Sequence, residues 1–213
     1  VAADSSVQQQ ISAKQFGVLQ LITAYRTLGV RHADLDPLGR MEKPYIAELD
    51  PAFYGLTEAD MDTVFSTGTL VWKREATLRE IIEFLKATYC GSIGVEYMYI
   101  SDMAQKRWVR ERLESVRSTP SYEPAYRKHI LERLTAAETI EKYMHTRYVG
   151  QKRFSGEGGE SLIPQLDLLL QRAGKAGVQE LVIGMAHRGR LNWLVNTMGK
   201  MPKDLFAEFE GKH

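Results

Sequence analysis

The run Glu180-Leu-Val-Ile183, passing directly into Gly184-Met-Ala-His-Arg-Gly-Arg190, constrains this chain more than any other stretch. A short apolar segment closed by glycine predicts a buried strand, and the residues from Leu191 onward predict a helix. In open α/β sheets, ligands collect in the crevice beyond the carboxyl ends of strands. The first amides of the following helix would add donors for a negative group. His187, Arg188 and Arg190 fall just there, so the stretch predicts an anion site at a strand end.

A second segment points the same way. Gln151-Lys-Arg-Phe-Ser155 leads into Gly156-Glu-Gly-Gly-Glu160, and Leu162, Leu166, Leu169, Leu170 and Ala173 then share one helical face. Pro164 is tolerable only in the first turn of that helix, which places its start at about residues 158–161. A glycine-rich turn before a helix can cradle phosphate. This one is neither a Walker loop nor a dinucleotide fingerprint. Glu157 and Glu160 would repel a phosphate set too close, so a tight turn with helix capping is the competing reading. Arg153 offers a planar fork suited to diphosphate or carboxylate, placed beside the turn rather than on a solvated helix. His187 at a strand end could donate to a carboxylate or shuttle a proton. Arg188 and Arg190 could instead pair structurally with Glu157 or Glu160.

What precedes reads as helical scaffolding. Ile11, Val18, Ile22 and Tyr25, with Leu21 and Leu28 alongside, mark one helix face over residues 7–28, stopped by Gly29. Residues 31–55 have no period and several prolines, and Asp34 and Asp36 are read as turn formers rather than metal ligands. Thr57 and Asp60 resemble a capping box opening a short helix that ends near Gly68. Thr77 and Glu80 form a fuller box, followed by Leu78, Ile81, Ile82, Leu85 and Tyr89 on one face. Gly94 to Ile100 is a strand or extended segment, and Asp102 caps the next helix, over residues 103–116. Tyr97, Tyr99 and Trp108 read as packing in a small core. A long helix spans residues 125–148. His129 is read as a packing or surface residue, and His145 as a possible lining residue. The single Cys90 and a formal net charge of +1 disfavour a disulfide framework, a cysteine metal site, nucleic acid and a membrane surface. No apolar run approaches the ~20 residues of a bilayer span. The opening Val-Ala-Ala-Asp has no presequence layout and no initiator methionine, which suits a trimmed chain.

Lys152-Arg-Phe-Ser, Glu157-Gly-Gly-Glu, the Leu-Ile-Pro at 162–164, Ile183-Gly-Met-Ala-His-Arg-Gly-Arg-Leu-Asn192 and the tail from Gly199 to His213 together closely resemble the decarboxylating component of the 2-oxoglutarate dehydrogenase complex. The Arg26-Thr-Leu-Gly-Val-Arg-His stretch fits the helical N-terminal part of that family. The resemblance implies an α/β, mostly helical fold: a helical region over residues 1–118, then, over 119–213, the incomplete start of a parallel-sheet domain that binds thiamine diphosphate. It implies a homodimeric enzyme of the tricarboxylic acid cycle that decarboxylates 2-oxoglutarate and passes the succinyl group to the lipoyl arm of the transferase component. Arg153 matches a cofactor-binding arginine and His187 an active-site histidine facing substrate. The family's Mg ligands, a second substrate-facing histidine and the activating glutamate would lie beyond His213, so the chain itself holds no metal site. An N-terminal fragment, inactive alone, is therefore expected, from a bacterial cytoplasm or, if eukaryotic, a mitochondrial matrix. Gly156 stands where the family usually has leucine, Trp193 where it has a small aliphatic residue, and Gln165 where it has an apolar one. The rival readings are a helical subunit-docking module with a structural Arg/His cluster and, less favoured, a nucleotide-binding module. A self-contained module should cover its apolar surfaces; a fragment should leave an edge or face bare.

Overall fold

A computed structural model describes residues 2–211, with side chains described from Gln10 onward. The side chain of Val7 and the terminal Lys212 and His213 lie outside the described residues. The chain divides into two compact units, one up to Ser121 and the other from Tyr122.

The first unit is built on α1 (Ala2–Leu28). Val18, Leu21, Ile22 and Tyr25 are buried on the expected face, while Ile11 is exposed. The helix gives way to a 3-10 turn at Gly29, where a side chain could not fit: a Cβ would lie 2.7 Å from that of Tyr89. In the irregular stretch that follows, the Asp36 carboxylate accepts hydrogen bonds from the amides of Leu38, Arg40 and Met41. These bonds, that of Met41 foremost, hold its carboxyl below the ordinary range and make it a turn former.

Thr57 and Asp60 do form a capping box, but over a single 3-10 turn, Glu58–Asp60. The helix expected to run to Gly68 is replaced by a two-stranded antiparallel sheet, β1 (Val64–Ser66) and β2 (Glu75–Thr77), pairing Phe65 with Ala76. Both of these side chains are buried, and that burial outweighs helix continuation. Thr77 and Glu80 then cap α2 (Leu78–Tyr89) reciprocally, and Leu78, Ile81, Leu85 and Tyr89 complete the core. Gly94 to Tyr97 joins no strand, and the segment ends in a turn at Met98–Tyr99 closed by the Ile100 amide on the Tyr97 carbonyl at 3.1 Å. Asp102 accepts from the amides of Ala104 and Gln105 at the start of α3 (Met103–Ser115). Tyr97 is buried, whereas Tyr99 and Trp108 are exposed, contrary to their reading as a shared core. Trp108 instead lies under the Arg112 guanidinium, 4.7 Å away on the same face of α3.

One buried charge organises this unit. Glu114 accepts from Arg26 Nε at 2.8 Å, the Tyr89 hydroxyl at 2.7 Å and the Val71 amide at 2.8 Å. Every oxygen of that carboxylate is satisfied, which is what permits its burial. Burial, with the carboxylate beside it, pushes the Tyr89 hydroxyl far above its usual pKa.

The second unit consists of α4 (Pro124–Arg147), α5 (Leu162–Lys175), α6 (Arg190–Asn196) and α7 (Pro202–Phe209). Proline stands in the first turn of α4 and of α7, and Pro164 is the third residue of α5, where its missing N–H costs nothing. Ala137, Ile163 and Trp193 form one small cluster, and Ile140, Met144 and Leu205 another.

The buried strand expected at Glu180–Ile183 is not formed, and no parallel sheet is present among the described residues. Residues 179–186 form neither strand nor helix, with Leu181 46% and Val182 98% exposed. An apolar run favours a strand only where neighbours supply its hydrogen bonds and cover both faces. Only the end of the run is held: Ile183 and Met185 pack against the Trp193 cluster.

Candidate functional site

Gly156 begins a tight turn: the Gly159 amide bonds to the Gly156 carbonyl at 2.9 Å, and Gly158 adopts a left-handed φ of 87°. The turn runs into α5, whose first amides are already engaged. Leu162 donates to the Gly159 carbonyl and Ile163 to that of Glu160. Gly158 donates to the Glu160 carboxylate, and Glu157 accepts from the Ser155 hydroxyl. The two glutamates therefore close the turn. A tight self-bonded turn, rather than a phosphate cradle, is what this geometry supports here, and no side chain caps the helix that follows.

Arg153 is half-buried, and its Nε is shielded from solvent with no hydrogen-bond partner among the described residues. A desolvated guanidinium donor is costly unless something accepts from it, so this atom fits an anionic partner. His187 is exposed and holds φ at 67°, a conformation side chains rarely adopt. Such local strain gathers at functional positions. Its carbonyl accepts from the Arg190 amide at 3.2 Å, which forms the turn into α6. Gly189, also left-handed, donates its amide to the Phe154 carbonyl at 3.1 Å.

That last bond is where the two candidate segments meet. A Cβ on Gly189 would lie 2.9 Å from the Gly156 Cα, so backbone here crosses backbone without room for a side chain. The segment carrying Arg153 and the turn carrying His187 thus touch within one unit. Beside the crossing is a cavity of about 190 Å³, lined by Gly156, Glu160, Ile163, Ile183, Arg188 and Trp193 among others. Arg188 contributes to this wall, and Trp193, although buried, still leaves this space beside it.

Two side chains that the sequence reading did not single out hold the crossing together. Glu141, 2% exposed, accepts from the Gly156 amide and from Asn192 Nδ2, each at 3.1 Å. Asn192 Nδ2 also donates to the Ala137 carbonyl at 2.8 Å, and its Oδ1 accepts from Asn196 at 2.7 Å. A sequence signal existed: Glu141 is the one acid within the buried stripe Ala137, Ile140, Met144 of α4. His145 is exposed. His129 Nε2 lies 2.7 Å from Asp167 Oδ2, joining α4 to α5 and holding the Asp167 carboxyl below its usual range. No cluster of three or more potential metal ligands occurs among the described residues.

No family model matches the chain. Along nearly its whole length, however, it is similar to proteins of one kind. It is 60% identical over 210 residues to the 2-oxoglutarate dehydrogenase E1 component of Cupriavidus necator and 55% identical over 212 residues to that of Azotobacter vinelandii. The E1 component of Haemophilus influenzae is 44% identical over 204 residues. These matches cover 98%, 99% and 94% of the chain but only 22% of each relative. The resemblance carried by the Lys-Arg-Phe-Ser and Gly-Met-Ala-His-Arg-Gly-Arg segments is thereby borne out.

Proposed function

We propose that this chain is a segment of a bacterial, cytoplasmic 2-oxoglutarate dehydrogenase E1 component and supplies part of its thiamine-diphosphate site. The similarity to E1 components over 98% of the chain, at 60% identity, carries this reading. In the whole enzyme the reaction is decarboxylation of 2-oxoglutarate and transfer of the succinyl group to the lipoyl arm of the succinyltransferase component, by a homodimer. Residues 119–213 open the cofactor-binding domain, and the residues before them form the helical region. No described helix is long and apolar enough to cross a membrane.

Within the site, thiamine diphosphate supplies the electron sink that makes decarboxylation feasible. Arg153 would hold its diphosphate: its shielded Nε has no partner among the described residues, nor has that of Arg133, and Arg153 is the one of the two beside the glycine turn. His187, exposed at the turn, donates to a carboxylate of 2-oxoglutarate. The ligands of the Mg ion lie elsewhere in the enzyme. The backbone crossing at Gly156 and Gly189 holds the Arg153 segment against the turn of His187, which supports a shared role, although the cavity beside the crossing is lined by Arg188 and by neither of these two side chains. The exposed Leu181 and Val182 support a segment of a larger fold over a self-contained docking module, because further chain is needed to cover them.

The test is substitution in the full-length enzyme. Arg153→Ala should weaken thiamine diphosphate by about 10-fold or more, in line with loss of a charge-assisted contact. His187→Ala should lower kcat/KM for 2-oxoglutarate by about 100-fold while leaving cofactor affinity within a few-fold. Isothermal titration of thiamine diphosphate into the 213-residue chain should show no micromolar binding. Unchanged kinetics in both variants would overturn the assignment.

A further inference from the structure

We propose that Glu141 is the positioning residue that couples the two site-bearing segments, a role that builds on the reading of Arg153 and His187 as site residues. Arg133, Ala137 and Glu141 recur every four residues and so share one face of α4. Each contacts the polar face of α6. Arg133 donates to the Asn196 carbonyl at 3.2 Å, the Ala137 carbonyl accepts from Asn192, and Glu141 accepts from Asn192. Asn196 donates to Asn192 in turn, so a continuous polar ladder runs along the helix pair.

Glu141 ends that ladder and does what no other member does. The same oxygen that accepts from Asn192 also accepts the Gly156 amide, on the turn that follows Arg153. One buried carboxylate oxygen therefore holds the Arg153 segment and the helix after His187 to a common support. A Cβ on Gly156 would stand 3.6 Å from that oxygen, which shows how closely the turn is seated. Losing this buried acceptor leaves two desolvated donors at once. The consequence is specific. Removing Glu141 should release both segments together, although they are distant in sequence. Removing Asn192 should release only the α6 side.

Hydrogen–deuterium exchange on the full-length enzyme tests this directly. Glu141→Ala should raise exchange at least tenfold in peptides covering both residues 154–158 and 188–193, with peptides of α2 unchanged. Glu141→Gln, whose amide oxygen can accept the same two donors, should stay within threefold of the native chain in both. Asn192→Ala should affect residues 188–193 while leaving 154–158 within threefold. If Glu141→Ala unfolds the whole second unit, the other two variants decide. Release of one segment alone by Glu141→Ala, or a Glu141→Gln variant as loose as Glu141→Ala, overturns the proposal.

Thiamine diphosphate titration of the full-length enzyme separates this from the site assignment. Coupled exchange together with an Arg153→Ala variant that binds cofactor normally would refute the assignment of Arg153 and leave the coupling standing. Uncoupled exchange with the expected Arg153→Ala defect would do the reverse.

Discussion

Gly156 and Gly189 face one another across the backbone crossing, yet their surroundings assign them opposite tolerances. Gly189 is left-handed, and its Cβ would strike the Gly156 Cα at 2.9 Å. Gly189→Ala should therefore destabilise the second unit by about 2–3 kcal/mol, combining left-handed strain with a backbone clash that no side-chain rotation relieves. Gly156 needs no positive φ, and a Cβ there would meet its neighbours at an ordinary 3.6 Å. Gly156→Ala should be neutral or stabilising by about 0.4–1 kcal/mol, because it restricts the unfolded chain more than it disturbs the folded one. Urea unfolding followed by Trp193 fluorescence, with Trp72 and Trp108 changed to phenylalanine, would separate the two. From the sequence alone the glycines are indistinguishable, since neither handedness nor the crossing leaves a local pattern. The same holds for the left-handed turn at His187, a conformation uncommon outside glycine that no local pattern announces.

Elements were legible where their signals were local. Thr77 with Glu80, Asp102, Pro164 and the Val18–Tyr25 face acted through bonds or contacts within a few residues of themselves, and the structure places each as read. The strands at 64–66 and 75–77 escaped notice because three residues are too few to show a period. The run at 180–183 failed in the opposite sense, for apolar character was present but pairing neighbours were not. Contact between elements adds what no single stretch carries, as the clasp of His129 on Asp167 shows. The hydrogen bond from His129 lowers the Asp167 pKa in the folded state. A group depressed in this way stabilises the fold above its unfolded pKa of about 3.9 and loses that contribution as pH falls through the lower folded value. Unfolding midpoints of the second unit should thus fall below about pH 4, and Asp167→Asn should flatten that part of the profile. The partly exposed pair should contribute at most about 1 kcal/mol at neutral pH.

For the molecule as a whole, the informative surface is the uncovered run at Leu181 and Val182. Val182 is 98% exposed, so Val182→Glu should change the unfolding free energy of this chain by no more than about 0.5 kcal/mol. In a longer enzyme that buries the segment, the same change would place a charge in an apolar setting and should sharply reduce soluble, assembled protein. Size-exclusion profiles of both forms would reveal the contrast. The crossing at Gly156 and Gly189 has a further consequence for how this region can vary. It cinches the intervening polypeptide at its neck, while past the end of α5 stands Gly177, which is left-handed at φ 89° and where an added Cβ would meet nothing within 4 Å. Lengthening such a noose at its tip costs little closure entropy and does not tug on the knot. Insertions near Gly177 are thus the route by which a lineage, or an engineer, could graft new sequence here without retuning the pocket.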